Sequence, residues 1–180
     1  MKSLLFAVIT LMAFNLKAAE LKKSFDGKVV FNPCKMEELN TRAYALKILS
    51  ETNSSEGKNI QFELIFLKCA KVNDEARLIK ISPTSVLKRE TIGVRGEKLQ
   101  IESVLSSFQL IAMSETGKLI QEMNLIQAEN KFLTSLFISK DFTEKQIEIG
   151  ANGVEQISVN GKVSEEYAPF IGGSYILTVN

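Results

Sequence analysis

The 180-residue chain contains no histidine and no tryptophan, and it has only three prolines and two cysteines. Without histidine, Ser-His-Asp and Cys-His nucleophile pairs and His-ligated zinc or copper sites are excluded. The commonest general base near neutral pH is lost with them. The three aspartates, Asp26, Asp74 and Asp141, are too few and too scattered for an Asp-rich calcium loop. Aromatic platforms for carbohydrate are equally scarce, with Tyr44, Tyr167 and Tyr175 the only tyrosines. No apolar run is long enough for a membrane-spanning helix, which takes about 20 residues. The longest, Leu4 to Phe14, has 11.

That run has another use. Lys2 gives a basic start, Leu4 to Phe14 an apolar middle, and Ala18-Ala19 a small-residue end, the three-part form of a secretory signal. Residues 1–19 are therefore expected to be removed on export, leaving 20–180 as one domain with no integral membrane segment, in the periplasm or outside the cell. Lys2 and Lys17 leave with the signal, so 22 Lys plus Arg against 21 Asp plus Glu becomes 20 against 21. Lys22-Lys23 and Lys88-Arg89 are then the only adjacent basic pairs, which leaves no footprint for displacing phosphate counterions and argues against nucleic acid as a partner. In an exported chain the two thiols, Cys34 and Cys69, have one obvious pairing, a structural disulfide. Closing that loop is worth about 4 kcal/mol by chain entropy. A redox role would call for Cys-x-x-Cys at a helix start, and positions 34 and 69 are far outside that spacing.

With 45% hydrophobic and 24% charged residues the composition is globular. Apolar residues recur mainly with a period of two, which sends alternate side chains to opposite faces of a sheet. Ile60, Phe62, Leu64 and Phe66 make one face, and Ile65 and Leu67 a second, so this strand should be central and covered on both sides. Tyr44, Leu46 and Ile48 alternate likewise, as do Leu99 and Ile101, Leu119 with Met123 and Leu125, and Phe132, Leu136 and Ile138. At least nine strands follow. Asn73-Asp74, Glu115-Thr116-Gly117, Asn152-Gly153 and Asn160-Gly161 supply turns, the last two as tight hairpins. Only Lys35 to Arg42 carries a helical signal, of one or two turns. The expected fold is all-β, a two-sheet antiparallel sandwich with Greek-key connections, with a small β-barrel as the alternative. Phe62, Leu64, Phe66, Leu110, Leu136 and Ile138 should share its core.

Motifs with catalytic spacing lack their context. Ser85-Val86-Leu87-Lys88 fits the Ser-x-x-Lys of penicillin-recognising enzymes, but Pro83 precedes it and the partner triad occurs only as Thr116-Gly117-Lys118, in the wrong order. Two spaced acids suffice for glycoside hydrolysis, yet Asp74-Glu75 and Glu165-Glu166 are adjacent in the chain and face opposite ways on a strand. Asn53-Ser54-Ser55 is a formal glycosylation sequon. No residue is nominated as catalytic, metal-binding or cofactor-binding, and no cofactor is expected. The expected function is non-catalytic, through protein–protein contact at a sheet edge or loop end in the cell envelope. An envelope hydrolase using carboxylates is the remaining enzymatic alternative.

The residues around the cysteines add one further expectation. Gly27-Lys28-Val29-Val30-Phe31-Asn32-Pro33-Cys34 resembles the Gly-x-Val-Val-x-x-x-Cys opening strand of chaperone-usher fimbrial subunits, the pilins. Phe62-Glu63-Leu64-Ile65-Phe66-Leu67-Lys68-Cys69 is similar to their second cysteine strand, and the resemblance extends over roughly residues 27–120. The chain end, with Tyr175, Leu177 and Val179 apolar, alternates as a pilin end does. The resemblance implies an immunoglobulin-like subunit lacking its last strand, completed by a strand from a chaperone or a neighbouring subunit.

Overall fold

The computed structural model describes residues 34–168, 170–171 and 174–179. The proposed signal peptide, Lys22-Lys23 and the Gly27–Pro33 stretch lie outside them. After Cys34 comes a single 3-10 turn, Met36–Glu38, where Lys35 N–H donates to the Glu38 carboxylate at 2.7 Å. The helical signal is thus one short turn.

Twelve strands follow: β1 (Arg42–Asn53), β2 (Gly57–Val72), β3 (Glu75–Lys80), β4 (Leu87–Ile92), β5 (Lys98–Ser114), β6 (Leu119–Met123), β7 (Ile126–Ala128), β8 (Lys131–Ser139), β9 (Gln146–Val159), β10 (Lys162–Tyr167), β11 (Phe170–Ile171) and β12 (Tyr175–Thr178). They form two sheets packed face to face as an all-β sandwich. The first runs β11-β1-β2-β8-β7 with β3 also on β2. The second runs β10-β9-β5-β4 with β12 on β9 and β6 on β5. All pairings are antiparallel except β1 with β11. The chain changes sheet between β3 and β4, β6 and β7, β8 and β9, β10 and β11, and β11 and β12, the first three being crossings of the kind Greek-key connections make.

Three strands are unusually long, 16 residues in β2, 17 in β5 and 14 in β9, against a usual length of about 5–6. Each therefore serves two neighbours in succession along one edge. β2 meets β8 and then β3, β5 meets β4 and then β6, and β9 meets β12 and then β10. Consequently the far halves of β5 and β9, with β4 and β10, make a four-stranded ribbon that continues the second sheet.

The core lies where the inner faces meet. Phe62, Leu64, Phe66, Leu110, Leu136 and Ile138 are all buried in one cluster with Tyr44, Met123, Ile147 and Ile149. Edge-to-face aromatic contacts run through it, from Phe132 to Phe66, Phe108 and Phe170, and on to Tyr44 and Tyr175, with ring centroids 5.0 to 5.9 Å apart. On the opposite face of the first sheet, Ala43, Ala45 and Leu67 form a second buried cluster with Ile65 and Leu78 packed on it. β2 is covered on both faces, as its two apolar series require.

The structure corrects the sequence pattern at two places. Asn152-Gly153 is not a hairpin but an interior step of β9, paired with Gln109 and Phe108 of β5. The glycine is needed for close approach: a Cβ there would meet the Phe170 ring at 3.0 Å and the Ser107 carbonyl at 3.2 Å. Leu119 is 51% exposed although Met123, four residues on, is fully buried. A bulge between the Ala112 and Met113 pairs switches faces there, so Ile120 packs on the core instead. Asn73-Asp74 and Asn160-Gly161 do form two-residue hairpin turns, each with positive φ at both positions.

Candidate interaction surface

The one pair of site residues nominated from sequence, Cys34 and Cys69, forms a disulfide with Cα atoms 5.9 Å apart. A disulfide linking two strands near one edge of the core would be the simplest expectation, but only Cys69 is on a strand. Cys34 precedes the 3-10 turn, and Cys69 lies on β2 in phase with Ile65 and Leu67, on the face of the second cluster. Backbone bonds from Asn40 N to Cys69 O at 2.8 Å and from Cys69 N to Thr41 O at 3.0 Å hold the approach to β1 against the same residue.

The structure does not assemble the catalytic-looking motifs. Ser85 is in the loop before β4, where its carbonyl accepts from Arg42. Lys88 is spent on Glu102 across the β4–β5 pair at 2.6 Å. Thr116-Gly117-Lys118 is the β5–β6 turn. Asp74 and Glu75 pair with Lys71 and Arg77 at an exposed hairpin. Glu155 and Glu166 are directly opposed across β9 and β10, but Glu155 is buried and held by a guanidinium, so the two make no acid–base couple open to a substrate. Among the described residues no group of three or more potential metal ligands occurs. A shallow depression of about 320 Å³ between β2, β6 and β8 is lined by Gln61, Gln121, Asn124 and Thr134 with Ile126 and Leu133. Its lining mixes apolar and uncharged polar groups, and Gln121 has its amide engaged with the β8 backbone at Ser135 and Phe137.

What sequence reasoning missed lies at the root of the ribbon. Arg42, the first residue of β1, reaches across the sandwich: Nε donates to Glu155 Oε1 at 2.5 Å, and Nη2 donates to the carbonyls of Ser85 at 2.9 Å and Ser103 at 3.2 Å. The two side chains are only 1% and 4% exposed. One guanidinium thus ties β1 of the first sheet to the loop before β4, to β5 and to β9. The one hint in the chain is that Arg42 precedes the alternation of Tyr44, Leu46 and Ile48 in phase with it, and so occupies an inward position.

Beyond this lock burial fades. Leu87, Ser103 and Ile157 are buried, Leu99, Ile101 and Val159 are half-buried, and the tips are open. Ile92 and Val94 project from the β4–β5 hairpin, and Val163 and Tyr167 from β10, where every residue is exposed. The ribbon is nevertheless well formed. Lys88–Glu102 and Gln100–Glu90 pair across its strands, the Asn160-Gly161 turn closes one hairpin, and Gly93 N donates to the Glu97 carbonyl in the other. Among the described residues β4 and β10 each pair along one edge only, which leaves backbone donors and acceptors free along the other. When the chain is compared with family models, curated proteins and solved structures, none matches.

Proposed function

We propose that this chain is an exported, disulfide-bonded β-sandwich that works by protein–protein contact through the four-stranded end of its second sheet, in the periplasm or at the cell surface. The observation that carries the reading is the combination of two sheet edges unpaired among the described residues and exposed apolar side chains, Ile92, Val94, Val163 and Tyr167, at one end of a packed core. Sheet edges recognise a partner by main-chain hydrogen bonds and alternate side chains, which needs neither histidine nor cofactor. The disulfide supports an oxidising compartment. A photo-reactive residue at Ile92, Val94 or Tyr167, introduced in the exporting cell, should give discrete protein adducts, while the same probe at Lys131 on β8 should not. Equal labelling at all four positions overturns the reading.

A pilin-like subunit is the second reading, favoured by one observation. Among the described residues the outer edge of β1 is paired only at Arg42 and Ala43, by β11. A donated strand on the remaining length would complete it. A peptide of alternating apolar pattern should then raise the unfolding temperature, and a chain that unfolds cooperatively with no response to such peptides removes this reading.

A further inference from the structure

We infer that the edge of β10 left unpaired among the described residues is a self-association site, at which a second copy of this chain adds its own β10 antiparallel across a two-fold axis. The inference rests on the proposed role of the ribbon and names the partner at one of its edges.

Symmetry restricts the registers available. In an antiparallel pair hydrogen-bonded and non-bonded positions alternate, so a two-fold axis through the seam passes through a residue directly opposed to itself. Centring on Glu165 sets two carboxylates against each other, which is destabilising. Centring on Val163 overlaps only the start of the strand. Centring on Ser164 opposes Lys162 to the second copy's Glu166 twice, once on each side of the axis, with no like charges opposed. Lys162, Ser164 and Glu166 share one face of β10, so both ion pairs form on that face.

The opposite face agrees with the same register. Val163 and Tyr167, 66% and 80% exposed, lie on it with Glu165. With Val163 opposed to the second copy's Glu165, the second copy's Tyr167 is its diagonal neighbour, within reach of an aromatic side chain. One register thus pairs Lys162 with Glu166 twice and covers both exposed apolar residues, while Glu165 of each copy lies diagonal to Glu165 of the other, a like-charge contact that keeps the association weak. The two four-stranded ribbons become one continuous eight-stranded sheet, and the charges that block indiscriminate edge pairing select this arrangement.

A seam of six residues buries less than the roughly 800 Å² per partner of a stable interface, so the dimer should be weak, with a dissociation constant of about 0.1–1 mM. The purified, disulfide-bonded chain is followed by sedimentation velocity over a concentration series at low and high salt. The wild type should show a salt-sensitive monomer–dimer equilibrium. Glu166→Lys and Lys162→Glu should each weaken it about 10-fold or more, because each opposes like charges. An equimolar mixture of the two variants should form a heterodimer, and the double charge exchange should restore the homodimer. Thr91→Lys on the β4 edge is the control and should leave association unchanged. A wild type that stays monomeric throughout, or a dimer indifferent to these reversals, overturns the inference. Adducts at Ile92 or Val94 with other proteins would still support the ribbon as a contact surface in that event, so the two claims fail separately.

Discussion

Arg42 and Glu155, 113 positions apart in the chain, form a buried ion pair that joins the two sheets where the sandwich core gives way to the ribbon. Two charges at this depth are stabilising only while both are present, since each alone is a desolvated charge without its counterion. Arg42 also donates to two backbone carbonyls, so its removal strands acceptors in two further segments.

Arg42→Ala or Glu155→Ala should each cost about 3–5 kcal/mol in urea unfolding. The apolar pair Arg42→Met with Glu155→Leu should recover the part of that loss due to the unpaired buried charge, but not the part due to the Ser85 and Ser103 carbonyls left without their donor. Additive losses in the double variant would show that the two residues act independently.

Reduction, or Cys34→Ser, should cost about 2–5 kcal/mol. The non-reduced protein should offer no alkylatable thiol, and reduction should expose two. Because Cys69 lies with the second cluster and not the main core, the reduced chain should keep its sandwich, with hydrogen exchange rising first at 39–43, the segment held by Cys69.

Phe62→Ala and Phe66→Ala should cost about 3–5 kcal/mol each, since both are buried in the main core and Phe66 packs edge-to-face on Phe108 and Phe132. Ile92→Ala and Val94→Ala at the ribbon tip should stay within about 0.5 kcal/mol of wild type. Thermal or denaturant unfolding separates the two groups, and a large loss at Ile92 would mean that the tip is packed.

Tyr175 donates its phenol to the Tyr44 carbonyl at 2.6 Å, across the gap between β12 and β1. Burial pushes both phenols well above the usual tyrosine range, with Tyr175 and Glu148 raising Tyr44 further. In the unfolded chain both ionise near pH 10, whereas the folded chain keeps them neutral. Their stabilisation is therefore complete below about pH 10 and lost as pH rises toward the folded values. Each should contribute a decline of about 1.4 kcal/mol per pH unit above that point. Tyr44→Phe and Tyr175→Phe should each make the alkaline decline shallower by that amount. Identical slopes in variant and wild type would refute the assignment.

Much of the architecture was legible because β-structure writes its burial into a period of two. Ile60 to Phe66 announced the inner face of β2, Ile65 and Leu67 its covered outer face, and Asn73-Asp74 and Asn160-Gly161 two hairpin turns whose positive φ few other residues accept. Counting two cysteines in a chain with a signal-like start was enough to pair them.

Tertiary structure decided the rest, for reasons a one-dimensional pattern does not hold. Asn152-Gly153 carries the local preference of a turn, yet continuous pairing with β5 and the close approach of Phe170 make it strand. The bulge at Ile120 of β6 exposes Leu119, because one extra residue turns the side chain beyond it to the other face and nothing in the local sequence announces it. Arg42 and Glu155 are each unremarkable in sequence, and only the packing of two sheets brings their opposite charges to one buried point. The open edge of β10 is likewise a property of sheet order: Lys162 and Glu166 are ordinary surface charges until the strand that bears them has, among the described residues, no neighbour on one side.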